Sequence, residues 1–509
     1  MIGLRLWLIV WLLIGGLPMR TPLAEGAPME VRFHPDGPLW TGDWVSVEVF
    51  AAPEQVSEQS RLSVFWEGQK LGEAPFSAMY YDTRRSASLL WFWNTGAVPA
   101  GEHQLIFEVQ PQGLRWTETV RLEPAPPGVA VYWAMAETPC CRIHYLVTTE
   151  VERDLPQLQE MIERNAQQIQ SALGVEAPAV VDINLFPRMV GHGGFSGAEV
   201  YLTYASNLYS GAEFERVVRH ELIHRYDLTH LRQGTMRPSL LAEGLAVYLS
   251  GGHYKAEPLA GRAAALLSLG WYVPLATLAD DFYNAQHEVA YLEAAAWVEY
   301  LVRTYGWQAY LAFHRDISAQ AGEQPSQAMD AALRAHFGMG LNSVEDRFVA
   351  FLSAQPPLPD LVEDVYLTVQ LFDVLRAYQQ RYAPSSYFRS AWLPDATLMR
   401  QRQIVGDYLR APDGEINQLL EGKLREAGLA LRAGKFSETR RLIQEVRDVL
   451  YGHEPGVSAL KNQGSSLQYR LAVSMMTNVM MQHKMMRPMI NSTIQMGNFF
   501  FVAGGDCGT

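Results

Sequence analysis

The stretch RHELIHRYD, residues Arg219 to Asp227, contains two histidines four residues apart, with a glutamate directly after the first. On an α-helix, residues four apart lie on one face, one turn apart. His220 and His224 can therefore ligate one Zn²⁺ from the same side. Glu221 lies about 100° further around the helix. It can border the open position of the ion without binding the ion, and take a proton from a water there.

An exposed charged helix can carry the same pattern, so the surrounding residues must decide between the two interpretations. The apolar residues of FERVVRHELIHRYDL recur near helical spacing, at Phe214, Val217, Val218, Leu222 and Ile223. This predicts a partly buried helix, Glu213 to Leu228, with the histidines flanking its apolar face. A buried pair of histidines needs polar partners, and a metal ion supplies them.

A third ligand is available downstream, in LLAEGLAVYLS (Leu240 to Ser250). This segment predicts a second helix, Ser239 to Ser250, with Glu243 near its start. Eighteen residues separate His224 from Glu243, and a turn that contains Gly234 and Pro238 allows the second helix to fold back on the first. Two histidines and one glutamate make a three-ligand site with one position open for water.

HELIH, 18 residues and then AEGLAVY together resemble the gluzincin metallopeptidases. The closer resemblance is to bacterial peptidase-MA-like proteins, which are relatives of the aminopeptidase N type, and it runs through most of residues 130–355. GHGGFSGAEVYLTY resembles the glycine-bearing edge strand of that family, and VAYLEAAAWVEYLVRTYG resembles the helix behind its site. The resemblance implies an α+β, zincin-like metallopeptidase domain at residues 129–355.

The resemblance also implies a role for each matching residue. His220, His224 and Glu243 would hold one Zn²⁺, and Glu221 would act as general base and then as proton shuttle. A zinc ion so held lowers the pKa of its water towards ~7 and polarises a substrate carbonyl.

The edge strand could align an extended peptide through main-chain hydrogen bonds, which makes Gly193, Gly194 and Phe195 candidate substrate-binding residues. His192, in the preceding loop, either contacts substrate or is solvated. Aminopeptidases of this group bind the free amino group of the substrate with a glutamate in a Gly-Ala-Met-Glu-Asn string, which is absent here. Glu199 lies nearby in a different setting, so exopeptidase action is doubtful, and endopeptidase action or none remains open.

Three further residues are candidates with open alternatives. Relatives use a tyrosine from a downstream helix to stabilise the oxyanion, and Tyr291 is the candidate here. Tyr283 competes for this role, and either residue could instead be an ordinary core tyrosine. Asp227 could hold a ligand histidine in one tautomer, or it could be a surface carboxylate.

Outside this domain, the chain divides into four more segments. Period-two alternation, for example at Val45, Val47 and Val49 of WVSVEVFA, predicts an immunoglobulin-like β-sandwich at residues 28–126. Residues 356–452 predict a helical bundle, in which Leu424 to Leu450 resembles one tetratricopeptide-like hairpin with Gly434 at its turn. Residues 453–509 form a methionine-rich tail of uncertain structure.

Within residues 129–355, Cys140 and Cys141 are expected to be free, half-buried thiols, with a vicinal disulfide as the alternative.

The N-terminus indicates export. Leu6 to Leu17 is an apolar run of 12 residues, which is short for a membrane span and typical of a signal-peptide core. Residues 1–26 are therefore expected to be a signal peptide, with an uncleaved membrane tether as the alternative. Either way the chain is expected outside the cytoplasm, and bacterial origin is favoured.

Charge and site together define the functional hypotheses. The formal net charge of −13 and the absence of a basic run argue against nucleic-acid binding. The leading hypothesis is an exported zinc metallopeptidase that acts on peptides or proteins. The alternatives are a cell-surface binding or scaffold protein that retains the fold, and a zinc hydrolase of non-peptide amides or esters, which the motif alone does not separate.

Overall fold

The computed structural model describes residues 29–35, 37–78, 84–128, 131–176, 180–187, 193–205, 209, 211–230, 235–320, 322–356, 358–383, 396–405 and 414–451. The predicted signal peptide and the methionine-rich tail lie outside these ranges. Within them, no helix is both long and apolar enough to cross a membrane.

The strands of the described residues fall into an N-terminal and a central group. The first group is β1 (Glu30–His34), β2 (Leu39–Trp40), β3 (Trp44–Ala51), β4 (Arg61–Trp66), β5 (Gln69–Pro75), β6 (Ser77–Ala78), β7 (Arg85–Asn94), β8 (Gly101–Gln110) and β9 (Leu114–Glu123). The second group is β10 (Trp133–Glu137), β11 (Cys141–Leu146), β12 (Val181–Phe186), β13 (Gly194–Ser196), β14 (Val200–Thr203), β15 (Thr235–Met236) and β16 (Ala319–Gln320).

Helices dominate the rest of the described chain. They are α1 (Glu150–Leu173), α2 (Phe214–Asp227), α3 (Ser239–Ser250), α4 (Leu259–Ser268), α5 (Leu275–Asp280), α6 (His287–Tyr305), α7 (Trp307–Asp316), α8 (Pro325–Phe337), α9 (Leu341–Ser353), α10 (Pro359–Tyr382), α11 (Ala396–Arg402), α12 (Glu415–Arg432) and α13 (Phe436–Tyr451). Two short 3₁₀ segments, Leu228–His230 and Phe282–Asn284, complete the list.

The N-terminal strands form two sheets that share one core. Their orders are β1-β3-β7-β6 and β2-β9-β8-β4-β5, and every pairing is antiparallel except that of β2 with β9. The predicted apolar face of β3 is buried, since Val45, Val47 and Val49 are fully buried, but burial does not alternate strictly, because Ser46 and Phe50 on the other face are buried as well. Glu118, which interrupts the apolar face of β9, accepts a hydrogen bond from Trp116 Nε1 at 2.8 Å.

The central sheet has the order β10-β11-β12-β14-β13, in which β11, β12 and β14 are parallel and both edge strands are antiparallel. Helix α1 connects β11 to β12. The apolar spacing of the sequence predicts this helix from about Asp154 to Leu173, and the residues of its apolar stripe are buried: Leu158, Met161, Ile162, Ile169 and Leu173. The helix begins at Glu150, four residues before the predicted start. Glu150 and Glu152 occupy its first turn, where the helix dipole favours negative charge, and Val151 is buried.

Helices α2, α3 and α6 pack together above this sheet and share one large apolar core with it. The sequence predicts a helix from Ala290 to Tyr305, and α6 begins three residues earlier, at His287. Gln286 explains the earlier start, because its side-chain oxygen accepts a hydrogen bond from the Val289 N–H at 2.9 Å. This first turn carries polar residues towards the site described below.

The C-terminal helices form a separate apolar core through α10, α12 and α13. Helices α12 and α13 make the predicted hairpin, and Gly434 lies at its turn with φ of +69°. The prediction for the cysteines is wrong, because Cys140 and Cys141 are both buried and are joined in a vicinal disulfide.

Candidate metal centre

Helices α2 and α3 bring three polar side chains to one point. His220 Nε2 lies 3.1 Å from Glu243 Oε2, and His224 Nε2 lies 3.2 Å from the same oxygen. The two imidazole nitrogens lie 3.1 Å apart. The three atoms therefore form a nearly equilateral triangle.

The triangle fits a zinc ion. Tetrahedral zinc with ligands at about 2.0–2.1 Å separates neighbouring ligand atoms by roughly 3.3 Å. Two nitrogens and one carboxylate oxygen are also a donor set that zinc prefers. The spacing and the donor chemistry agree, so His220, His224 and Glu243 could hold one ion and leave one position open.

The charges at the triangle are compatible with a bound cation. Burial lowers the pKa of His220 to about 4, although Glu243 opposes the change. Burial also disfavours charge on His224, but the Glu243 carboxylate outweighs it and raises the pKa of His224 to about 9. Burial disfavours charge on Glu243 as well, but the two histidines hold its pKa well below the usual range. Positive charge beside the buried Glu243 carboxylate comes from the His224 imidazolium, and a divalent ion at the triangle would take its place.

Glu243 is held from its other side. Its Oε1 accepts a hydrogen bond at 2.7 Å from the hydroxyl of Tyr283, in the 3₁₀ turn before α6. Tyr283 therefore orients a candidate ligand, a role that the sequence prediction missed. A partner of this kind fixes the carboxylate and tunes a metal site.

Glu221 borders the triangle without belonging to it. The residue is buried, and its carboxylate forms no hydrogen bond with any residue that the structure describes. Burial raises the pKa of Glu221 to about 8, with His224 opposing and Glu243 adding to the rise. The carboxyl group faces a cavity that is also lined by Gly194, His220 and Tyr291.

Strand β13 passes directly over this glutamate. A Cβ atom added to Gly194 would lie 2.6 Å from Val217 Cγ1 and 2.8 Å from Glu221 Cγ. Only a glycine permits so close an approach of strand and helix. The edge strand and the base are therefore in direct contact.

Tyr291 stands on the opposite wall of the cavity. Its ring centre lies 6.1 Å from that of His220, and its hydroxyl has no hydrogen-bond partner among the described residues. Burial raises the pKa of Tyr291 well above its usual value, and Glu243 adds to the rise. Tyr291 is thus a neutral donor beside the site.

Comparison with known proteins adds little to this geometry. No protein-family model matches the chain, and no curated protein matches it. A mutant of the M1 zinc metallopeptidase from Deinococcus radiodurans is similar at 13% identity, over 65% of this chain and 95% of that one, with a TM-score of 0.30. An aminopeptidase N family protein from Idiomarina loihiensis is similar at 9% identity, over 66% and 78% of the two chains, also with a TM-score of 0.30. At these values the assignment of the site rests on its own geometry.

The candidate substrate-binding residues differ in their position relative to the cavity. Gly194 lines the cavity, whereas the ring of Phe195 points away and packs against Tyr201 at a centroid distance of 6.2 Å. The Gly193 carbonyl accepts a hydrogen bond from the Thr203 N–H at 2.7 Å within the sheet. His192 lies outside the described residues. Among those residues, β13 pairs with β14 alone and is an edge strand of the sheet.

Asp227 fits neither predicted role. It is 5% exposed, so it is not a surface carboxylate, and it contacts neither ligand histidine. It accepts two hydrogen bonds from Arg237 at 3.0 Å and one contact from His314 Nε2 at 2.8 Å. Burial disfavours its charge, but His314 and Arg237 hold its pKa far below the usual range. The network anchors the end of α2.

Glu199 is also fully engaged. Its carboxylate receives Arg400 Nη1 at 2.8 Å, Asn184 Nδ2 at 2.7 Å and Thr397 Oγ1 at 3.0 Å. Burial raises its pKa, but Arg400 and Asn184 outweigh burial and bring the pKa to about 2. Glu199 thus ties β14 to β12 and α11, and does not line the cavity of the candidate centre.

Proposed function

We propose that this chain is an exported zinc-dependent metallopeptidase. In this proposal His220, His224 and Glu243 hold one Zn²⁺, Glu221 is the general base, and Tyr291 stabilises the developing oxyanion. The single observation that carries the proposal is the triangle of ligand atoms with an unpaired glutamate beside it and an edge strand across it.

Each protein group has a task in peptide hydrolysis. Strand β13 would align an extended substrate through main-chain hydrogen bonds. Glu221 would take a proton from the attacking water and pass it to the leaving nitrogen. The Tyr291 hydroxyl would donate to the carbonyl oxygen as negative charge develops there. The zinc ion, when bound, supplies Lewis acidity and a more acidic water.

Cleavage within a chain is favoured over removal of terminal residues. Recognition of a free amino group requires a carboxylate that is available near the edge strand. Glu199 is bound by Arg400, Asn184 and Thr397, and the family string that carries the usual glutamate is absent. An open-ended strand edge, in contrast, accepts a peptide that continues in both directions.

Zinc content and peptide cleavage, measured on the same preparations, test the proposal. Glu221→Gln should retain one equivalent of tightly bound zinc and lose about 10²–10⁴-fold in the rate of cleavage of casein or a peptide library, because general base catalysis contributes that much. Glu160→Gln makes the same change at an exposed position on α1 and should leave the rate unchanged. Bound zinc without cleavage of any peptide would favour the scaffold alternative.

Export and the role of the N-terminal sandwich are part of the proposal. The apolar run Leu6 to Leu17 supports export, and the two-sheet sandwich supports an immunoglobulin-like module that positions the enzyme or binds a surface partner. Cell fractionation and N-terminal sequencing of the mature protein test export. Recovery of the intact chain from the cytoplasm would contradict it.

A further inference from the structure

A second group of two histidines and one glutamate lies beside the first. His253, His287 and Glu288 each offer a ligand atom, and these atoms all lie within 4.8 Å of one another. The rings of His253 and His287 are 4.9 Å apart, and that of His253 is 6.3 Å from His220. We call these three residues the second cluster.

The chain builds the second cluster from a tight turn and a helix start. His253 follows the last turn of α3, and its backbone N–H donates to Glu257 Oε1 at 2.9 Å. Gly252 makes the turn with φ of +140°, and a Cβ there would meet the Lys255 carbonyl oxygen at 1.9 Å. Only glycine allows this turn. His287 and Glu288 are the first two residues of α6, so the turn and the helix start converge on one place.

The buried carboxylate of Glu288 has a polar partner at only one of its two oxygens among the described residues. Its side chain is fully buried, Oε1 lies 2.5 Å from His253 Nδ1, and Oε2 has no hydrogen-bond partner among the described residues. The nearby guanidinium of Arg262 is paired with Glu257 and Asp364 instead. A buried carboxylate with an unfilled oxygen is costly unless an ion or donor satisfies it.

The second cluster also opens on the cavity of the first. His253 and His287 line that cavity together with His220 and Glu221, and the Tyr291 ring packs on both histidines at centroid distances of 4.4 Å. An ion held by the second cluster would thus border the cavity that Glu221 also lines.

We propose that His253, His287 and Glu288 form a second divalent-cation site, selective for zinc-like ions, next to the proposed catalytic site. Imidazole and carboxylate together suit Zn²⁺ and its neighbours rather than Mg²⁺ or Ca²⁺. The site binds more weakly than the first, because its ligand atoms must close from as much as 4.8 Å to roughly 3.3 Å around an ion. Its occupation narrows the cavity, so excess zinc inhibits cleavage, a consequence that rests on the proposed peptidase function.

The competing arrangement contains no second metal. Burial disfavours charge on His253, but the Glu288 carboxylate outweighs it and raises the pKa of His253. An imidazolium–carboxylate pair would then satisfy one oxygen of Glu288 by itself. The number of bound ions distinguishes the two arrangements.

Titration of the metal-free full-length protein with ZnCl₂ by calorimetry tests the proposal. The wild-type chain should bind two equivalents, one tightly and one at least tenfold more weakly. His287→Ala, at a partly exposed position, should remove the weak equivalent and retain the tight one. Glu288→Gln should do the same, because it keeps the shape of the side chain and removes its charge. His103→Ala, in the N-terminal sandwich, should still bind two.

A wild-type chain that saturates with one equivalent would overturn the proposal, and so would a second equivalent that survives both substitutions. Glu243→Gln separates the two sites, since it should weaken the tight equivalent and leave the weak one. Inhibition by excess Zn²⁺ that is lost in His287→Ala is the expected result in the activity assay. If no peptide is cleaved, the proposed function fails while the two-site stoichiometry still decides this proposal.

Discussion

The two histidine–glutamate clusters have the same composition and very different construction. In the first, all three residues lie within helices, and the ligand atoms are 3.1–3.2 Å apart. In the second, one residue follows a glycine turn and two begin a helix, and the atoms spread over as much as 4.8 Å. The ring of Tyr291 lies next to a histidine of each cluster, His220 and His253.

Neighbouring residues also hold the ligands of the first cluster more extensively than those of the second. Tyr283 fixes Glu243 of the first cluster, and the Asp227 network anchors the helix that carries its histidines. The second cluster depends on a single turn and on a buried carboxylate that is only half satisfied. A ligand set that is held before the ion arrives suits catalysis, whereas one that must adjust suits weaker and reversible binding.

Loss of a ligand from the first cluster should give the largest effect. Glu243→Ala removes one of three donors, so tight zinc binding should weaken by more than the roughly 100-fold that follows loss of an outer partner. Cleavage should fall to background, and the weak equivalent should remain. Equilibrium dialysis with Zn²⁺ and a peptide assay measure both. Retention of tight zinc in this variant would show that the ligand set is wrong.

The Asp227 network at the end of α2 should affect the free energy of unfolding more than it affects zinc affinity. Asp227→Asn leaves Arg237 and His314 buried beside a neutral group, which should lower the free energy of unfolding by about 3–5 kcal/mol. The pKa of Asp227 is lowered in the folded state. Its contribution is therefore fully present above the unfolded value near ~3.9, and is lost as the pH falls through the folded value.

Urea unfolding of the wild type and the variant at pH 7 and pH 3 measures this difference, which should narrow in acid. Asp316→Asn is the matched control, because that carboxylate is 61% exposed and pairs with His336 at the surface. Its effect should stay within about 1 kcal/mol. Equal effects of the two substitutions would remove the argument that α2 is specially anchored.

The first cluster could be predicted from the sequence because a helix converts spacing into direction. Residues four apart on a helix share a face independently of the tertiary structure, so His220 and His224 could be paired from the sequence alone. Glu243 required one more assumption, that the turn folds α3 back. The buried valine face of β3 and the apolar stripe on α1 could be predicted for the same reason, since each depends on a local period.

The second cluster and the partner of Asp227 could not be found in this way. His253 and Glu288 are 35 residues apart, and Asp227 and His314 are 87 apart. No period links such pairs, and only the packing of α3, α6 and α7 brings them together. The available signals were weak: two glycines before His253, and a His-Glu pair at a helix start. The boundaries of α1 and α6 were missed because capping and first-turn charge extended them.

A substitution in the edge strand β13, which packs closely on Glu221, should lower the rate of cleavage without changing zinc affinity. Gly194→Ala places a methyl group against Val217 and Glu221. Displacement of the base by about 1 Å should lower kcat/KM on the order of 100-fold, with tight zinc binding unchanged. Gly422→Ala, on α12 with open space around it, is the control and should have no effect on the rate. An active Gly194→Ala enzyme would mean that Glu221 does not need its present position.

Tyr283→Phe should give the smallest change in zinc affinity and cleavage rate among these substitutions. It deletes only the hydroxyl that donates to Glu243 Oε1 at 2.7 Å. Outer partners of this kind are worth about 10–100-fold in metal affinity or activity. Zinc affinity and kcat should therefore fall together within that range, and the weak equivalent should not change. Tyr366→Phe removes a hydroxyl outside the site and should leave both quantities intact. If kcat falls while zinc affinity is unchanged, then Tyr283 rather than Tyr291 donates to the oxyanion, and the two tyrosines exchange the roles argued above.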